Sequence, residues 1–293
     1  MKIVTSIYEL WRNCGKGHYK AFEASYMRAV NKLPTGDWIK YVINTDAITH
    51  EKFQPLFDEL AKKQNVEIKF FEWNQSEYHS KLQPIITRIR NEVHCDEMHD
   101  KHVAVDGYCE VVLNKFNFML ENIEKDDDAI FWVDGGLFLG SCNFPWREWI
   151  ERNCNTKFFF DKAKKAAEGE FLLVQSDYMP HPIGYRDLLN EIIPESHGSN
   201  LVVAGGFWGG NPDKVKELCL EMKANGHILL ERGFQVSDQE CMVMSVMKDA
   251  SRFKIVHFGD WYDYQKVFLQ IMGVYDPETY HKENCSLPDV PNE

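Results

Sequence analysis

Residues able to do chemistry in this sequence gather at one kind of place, the carboxyl end of an apolar run. The segment AIFWVDGGLFLG (129–140) follows three acids, Asp126, Asp127 and Asp128, and breaks at a single carboxylate, Asp134, before Gly135 and Gly136. A charge at the end of a buried strand costs several kcal/mol unless something pairs with it. Asp134 is therefore expected to meet a partner. Thr5, Ser6 and Tyr8 close the first apolar run, Asn44 and Asp46 the second, and His257 the last. In open α/β sheets ligands bind beyond the carboxyl ends of the strands, so these hydroxyls, acids and imidazole are expected on one edge. The glycines let backbone approach a ligand closely. An acid and a histidine at separate strand ends suit a hard or borderline divalent cation, with phosphate and other oxygens completing its shell.

The elements that must position these groups alternate between strand and helix. Residues 1–7 read as a first strand, GKGHY (15–19) as a loop before an amphipathic helix through Val30, and WIKYVINTD (38–46) as a second strand. Residues 53–63 read as a helix and VEIKFFEW as a third strand. Residues 111–123 form a helix with Val112, Phe116, Met119, Leu120 and Ile123 on its apolar positions. It feeds the strand ending at Asp134. Helices near 146–153 and 158–168 precede the strand FLLVQSDY. LVVA (201–204) is a short strand that breaks into GGFWGG. NPDKVKELCLEM starts a helix with Asn211 as N-cap, Pro212 in the first turn and Asp213 favourable to the dipole. DQECMVMSVMKD is helical and FKIVHFGDW is the last strand. The fold class expected is α/β: a central mixed, mostly parallel sheet flanked by helices in a single Rossmann-like domain over residues 1–280, with 281–293 a polar tail.

Composition narrows the function classes. The 293 residues carry a formal net charge of −12, which argues against a nucleic-acid binder, because phosphate backbones are met by a basic surface. No stretch approaches the roughly 18 apolar residues of a membrane span, and residues 1–11 hold no signal-peptide core. The expectation is a cytoplasmic or cytosol-facing protein without a membrane span, peripheral membrane association staying open. Eight cysteines stand singly, with no CxxC pair, and read as free thiols. HCDEMHDKH (94–102) reads as a polar loop or helix face, since no second cysteine pair completes a zinc set.

WVDGG after a buried strand, then GGFWGG, then SDQE opening a helix, then IVHFGDW, resembles in its order the GT-A glycosyltransferases, which use nucleotide-diphospho sugars. VTSIYELWRNCGKGHY, LNKF and FWVDGG are similar to the bacterial HtrL/YibB family, while SDQE and HFGDW resemble the DQD and HFxG elements of the glycogenin-like family 8 enzymes. The resemblance spans most of the chain.

It implies a D-x-D motif holding Mn²⁺ or Mg²⁺ against the donor diphosphate. Asp134 matches its first acid, and the second position is Gly136. The cation would then rest on Asp134, His257, diphosphate and water, or the site is metal-free with a lysine neutralising the phosphates. Lys115, in the helix before the Asp134 strand, is the candidate lysine. By resemblance Thr5, Ser6 and Tyr8 contact the nucleobase and ribose, Asp46 lies near the base, and Asp238, Gln239 and Glu240 stand by the transferred sugar. Gly205, Gly206, Phe207 and Trp208 either bring an acceptor sugar close and stack on it or serve close packing alone. The reaction implied is hexose transfer from a nucleotide sugar, UDP-galactose or UDP-glucose, to a glycan acceptor with retention. A degenerate sugar- or nucleotide-binding protein is the alternative. An S-adenosylmethionine methyltransferase fits poorly, because VDGGLFLG comes after more than a hundred residues of α/β pattern rather than beside the first strand.

Overall fold

The computed structural model of the chain describes residues 1–10, 33–92, 106–135, 152–176, 191, 202–234, 236–258 and 265–273. In chain order these give β1 (Lys2–Ser6), β2 (Lys40–Thr45), α1 (Ala47–Lys52), α2 (Gln54–Ala61), β3 (Val66–Phe70), α3 (His79–Glu92), α4 (Tyr108–Leu120), β4 (Ile130–Val133), α5 (Lys157–Ala167), β5 (Phe171–Ser176), β6 (Val202–Val203), β7 (Phe207–Gly210), α6 (Pro212–Glu231), α7 (Asp238–Lys248), β8 (Phe253–Phe258) and α8 (Gln265–Met272). The expected helices over 20–30 and most of 146–153, the HCDEMHDKH segment and the polar tail lie outside the described residues.

All eight described strands join one mixed sheet, in the order β3-β2-β1-β4-β7-β5-β6 with β8 also on β5. Strands β1 to β4 are parallel, β7 runs against β4 and β5, and β5 pairs in parallel with β8. The chain steps from β1 outward to β2 and β3, then returns to place β4 on the other side of β1. That reversal makes the carboxyl ends of β1 and β4 the switch point of the sheet, the place where α/β folds bind ligands.

Helices cover both faces, and this explains why β4 reads as an unbroken apolar run rather than an alternation. Phe131 and Val133 face one core with Ile3, Ile43, Phe159, Phe207 and Phe268. Ile130 and Trp132 face the other, with Val4, Phe116, Trp208 and Val243. Helix α4 buries residues almost all round, including Leu113, Phe116 and Met119, as a helix enclosed in a core does. The acids before β4 serve the opposite edge of the sheet, where Asp127 pairs with buried Lys2 at 3.0 Å and Asp128 with Lys164.

Helix α6 begins as its sequence demands, with the Asn211 side chain accepting from the backbone N–H groups of Asp213 and Lys214 at 3.0 and 3.2 Å. Asn211→Ala is expected to lower stability by about 1 kcal/mol, read as a shift in the urea unfolding midpoint. None of the described helices is long and apolar enough to cross a membrane.

Of the two readings of GGFWGG, a sugar platform and close packing, its strand portion follows the second: residues 207–210 are β7, a strand inside the sheet between β4 and β5. Gly209 has φ +138° and a Cβ there would lie 2.3 Å from the Ile130 carbonyl oxygen, so the glycine serves close strand approach. Phe207 and Trp208 are wholly buried. Their rings pack on Phe131 at 5.5 Å and on Phe171 at 5.5 Å respectively, and offer no free face to a sugar.

Candidate functional site

Four separated stretches meet at the carboxyl edge of β4. Helix α4 starts beyond that edge, after Gly107 in a left-handed turn (φ +85°), and runs back along the sheet so that Lys115 draws level with the end of β4. The Lys115 ammonium donates to Asp238 Oδ2 at 2.8 Å and to the Gly205 carbonyl oxygen at 3.2 Å, and forms an ion pair with Asp134 Oδ1 at 2.8 Å. Three oxygens thus surround it, as many as an ammonium has protons. Trp132 is two residues before Asp134. Its indole N–H donates to the same Asp134 Oδ1 at 2.7 Å, and its ring lies 5.4 Å from the ammonium.

Local sequence explains each placement. Ser237 is the N-cap of α7 in a capping box, and the Glu240 side chain returns to accept from the Ser237 backbone N–H at 2.7 Å. The box fixes Asp238 in the first turn, with its carboxylate directed inward at Lys115. Glu240 is thereby a capping residue, pointing back to Ser237, which corrects its expected place beside the sugar. Gly205 sits where a Cβ would lie 2.2 Å from Asp238 Oδ2, so only glycine lets the two meet. Gly206 accepts from the Asp134 backbone N–H at 2.8 Å. Gly135 holds the exits of β4 and β1 together, since a Cβ there would lie 2.4 Å from the Ser6 carbonyl oxygen.

The three charges differ in exposure. The side chains of Lys115 and Asp238 are 7% and 3% exposed, that of Asp134 41%. Burial acts to lower the Lys115 pKa, but Asp134 and Asp238 override it and hold the ammonium above its ordinary value. Burial pushes Asp238 up to about 6 against the pull of Lys115, with Asp134 and Glu240 adding to the rise. The outcome is an internal cation holding two acids, one of which keeps an exposed edge.

The other expected residues lie on the same side or apart. Thr5 is buried, and its hydroxyl oxygen and that of Tyr41 have no partner among the described residues. Both residues line a small pocket with Asp134 and Asn155. Ser6 is half-buried. The Tyr8 hydroxyl donates to the Phe71 carbonyl oxygen at 3.0 Å, and its pKa is raised by burial and then by Asp46 and Glu72. Asp46 is the N-cap of α1, accepting from the Thr49 N–H at 2.7 Å. Its burial turns it into the fold. Gln239 is half-buried on the first turn of α7.

His257 is exposed near the end of β8, and its carbonyl oxygen accepts from Gln270 at 2.7 Å. Strands β7 and β5 stand between it and β4, a lateral separation of about 14 Å at ordinary strand spacing. The structure therefore does not join Asp134 and His257 as one cation shell. Among the described residues no three of His, Cys, Asp and Glu are grouped to hold a metal. The oxygens most suited to one, on Asp134, Asp238 and Gly205, surround the ammonium instead. Mn²⁺ or Mg²⁺ does not fit this donor set; Gly136 and the candidate acceptor segments 144–149, 179–185 and 195–200 lie outside the described residues. Sequence reading did not foresee the roles of Trp132 and the Gly205 carbonyl, although the two-residue spacing of Trp132 and Asp134 on one strand face was a signal.

No family model matches the sequence, and no curated protein is significantly similar to it. Solved structures similar to the chain include mouse xyloside xylosyltransferase 1 in its apo form, at 13% identity and a TM-score of 0.48 over 93% of this chain and 94% of that one. The WbbM bifunctional glycosyltransferase, also apo, has 9% identity and a TM-score of 0.42 over 87% of this chain and 38% of its own. A 4-diphosphocytidyl-2C-methyl-D-erythritol synthase from Anaerococcus prevotii has 10% identity and a TM-score of 0.40 over 93% and 94%.

Proposed function

We propose that this chain is a GT-A-type glycosyltransferase that moves a hexose from a nucleotide-diphospho sugar, UDP-galactose or UDP-glucose, to a glycan acceptor with retention. The observation that carries the reading is the meeting of Lys115, Asp134, Asp238 and the Gly205 turn at the switch point of the sheet, where α/β folds bind ligands. The motif order WVDGG, GGFWGG, SDQE and IVHFGDW supports it independently.

In this reading the exposed oxygen of Asp134 accepts hydrogen bonds from donor hydroxyls, while Lys115 fixes the carboxylate's other oxygen. Asp238 holds Lys115 from behind and Gln239 lines the sugar side. Thr5, Ser6 and Tyr8 flank the nucleoside at the end of β1. Since three oxygens already surround the Lys115 ammonium, it is a positioning residue rather than a direct diphosphate contact. The charge released on the nucleoside diphosphate needs another donor, and a retaining transfer can let that phosphate take the acceptor's proton.

The same commitment of Lys115 favours a second reading, a protein that binds a nucleotide sugar without turning it over. Thermal-shift measurements with UDP, UDP-galactose and UDP-glucose, paired with an assay of UDP release in the presence of oligosaccharide acceptors, separate the two. Stabilisation with acceptor-dependent UDP release is the expected result. Stabilisation without release selects the binding protein, and no shift with any nucleotide rejects both.

A further inference from the structure

We propose that the Lys115 ammonium is the resident cation of this site, in the seat a divalent metal would take, so that ligand binding here is independent of divalent metal. The ligand rests on the glycosyltransferase reading above; the cation seat does not. Two carboxylate oxygens and a carbonyl oxygen surround Lys115 Nζ at 2.8, 2.8 and 3.2 Å. Hard oxygens of this kind are what Mg²⁺ and Mn²⁺ choose. Here each faces the ammonium. A divalent ion could reach them only by expelling an ammonium whose side chain is 7% exposed and whose helix is enclosed in the core, or by sitting beside it against like-charge repulsion in a poorly solvated place.

Among the described residues the remaining ligands are too few for a site alongside. Asp134 keeps one exposed carboxylate edge, position 136 is glycine, and His257 is on a strand three places away. With two acids around one ammonium, the trio's formal charge is one negative. It therefore suits the hydroxyl donors of a sugar rather than the oxygens of a diphosphate.

The proposal predicts a gain of function. Lys115→Ala leaves two acids and a carbonyl around an empty volume and should bind Mn²⁺ at least about tenfold more tightly than the wild type, measured by electron paramagnetic resonance of free Mn²⁺. The variant's melting temperature should rise with Mn²⁺ while the wild type's does not. The shift given to the wild type by UDP should be the same in Mn²⁺ and in EDTA. A wild type whose UDP shift deepens with Mn²⁺, or which binds Mn²⁺ through Asp134 as judged by loss in Asp134→Ala, overturns the proposal. So does a folded Lys115→Ala with no gain in Mn²⁺ affinity. A variant that folds only in Mn²⁺ supports it, and if the variant folds under no condition the wild-type Mn²⁺ titration decides. If no nucleotide stabilises the wild type, the glycosyltransferase reading fails, while the Mn²⁺ comparison still tests the seat.

Discussion

Asp238→Ala is expected to lower stability by about 2–4 kcal/mol, through the lost charge-assisted hydrogen bond to Lys115 and the cavity left behind, whereas Asp238→Asn should cost well under half as much. Asparagine keeps the volume and an oxygen that can accept from Lys115, and Asp134 remains to balance the ammonium. It also removes a buried anion whose ionisation the fold resists. The Asp238 carboxyl has a pKa of about 6 against an ordinary 3.8, so between those values the folded state holds more protons than the unfolded chain. Stability contributed by this group accordingly falls as pH rises from about 4 to about 6 and is level above, a loss of about 3 kcal/mol. Urea unfolding of wild type and Asp238→Asn over pH 4–8 isolates that loss as their difference. A difference that stays constant across pH would mean that Asp238 does not ionise late in the fold, and equal costs for alanine and asparagine would mean that the charge, not the acceptor oxygen, holds Lys115.

Much of this site was legible because its residues obey local rules. Asp134 stood out as a lone charge ending an apolar strand, Lys115 lay in the helix feeding that strand, and SDQE was legible as the opening of a helix. What sequence could not supply was which of these charges face one another. The periodicity that defines α4 says nothing of Asp238, which lies 123 positions beyond Lys115, and the pairing converts an expected phosphate ligand into an internal cation. GGFWGG is ambiguous for a related reason. Glycine and aromatic residues suit both an exposed sugar platform and a strand that must approach its neighbours closely, and only the register with β4 and β5 separates the two. Helix α3 escaped the sequence reading as well, since Pro84 stands inside it and proline argues against a helix interior. The metal expectation combined residues that share an edge of the sheet, but an edge of this width places β8 well away from β4.

Gly205→Ala should disable the site through a single methyl group. The added Cβ would lie 2.2 Å from Asp238 Oδ2 and 2.8 Å from its Cγ, distances no pair of atoms can hold. Relief requires Asp238 to rotate away from Lys115 or the Gly205 turn to move, and the turn is itself tied down by Lys115 on the Gly205 carbonyl and by the Asp134 N–H on Gly206. Either route breaks part of the ion cluster, so overpacking and lost pairing together should cost about 2–4 kcal/mol. Stabilisation by UDP-sugars should be lost with it. The cause can be isolated with a double-mutant cycle. In an Asp238→Ala background the obstructing carboxylate is gone, and adding Gly205→Ala should then cost no more than about 0.5 kcal/mol, producing a strong departure from additivity. Full additivity would place the clash elsewhere in the turn, and contact with Asp238 would no longer account for glycine at position 205. The coupled outcome would mean that a residue read from sequence as an acceptor platform is instead the clearance through which Asp238 reaches the cation.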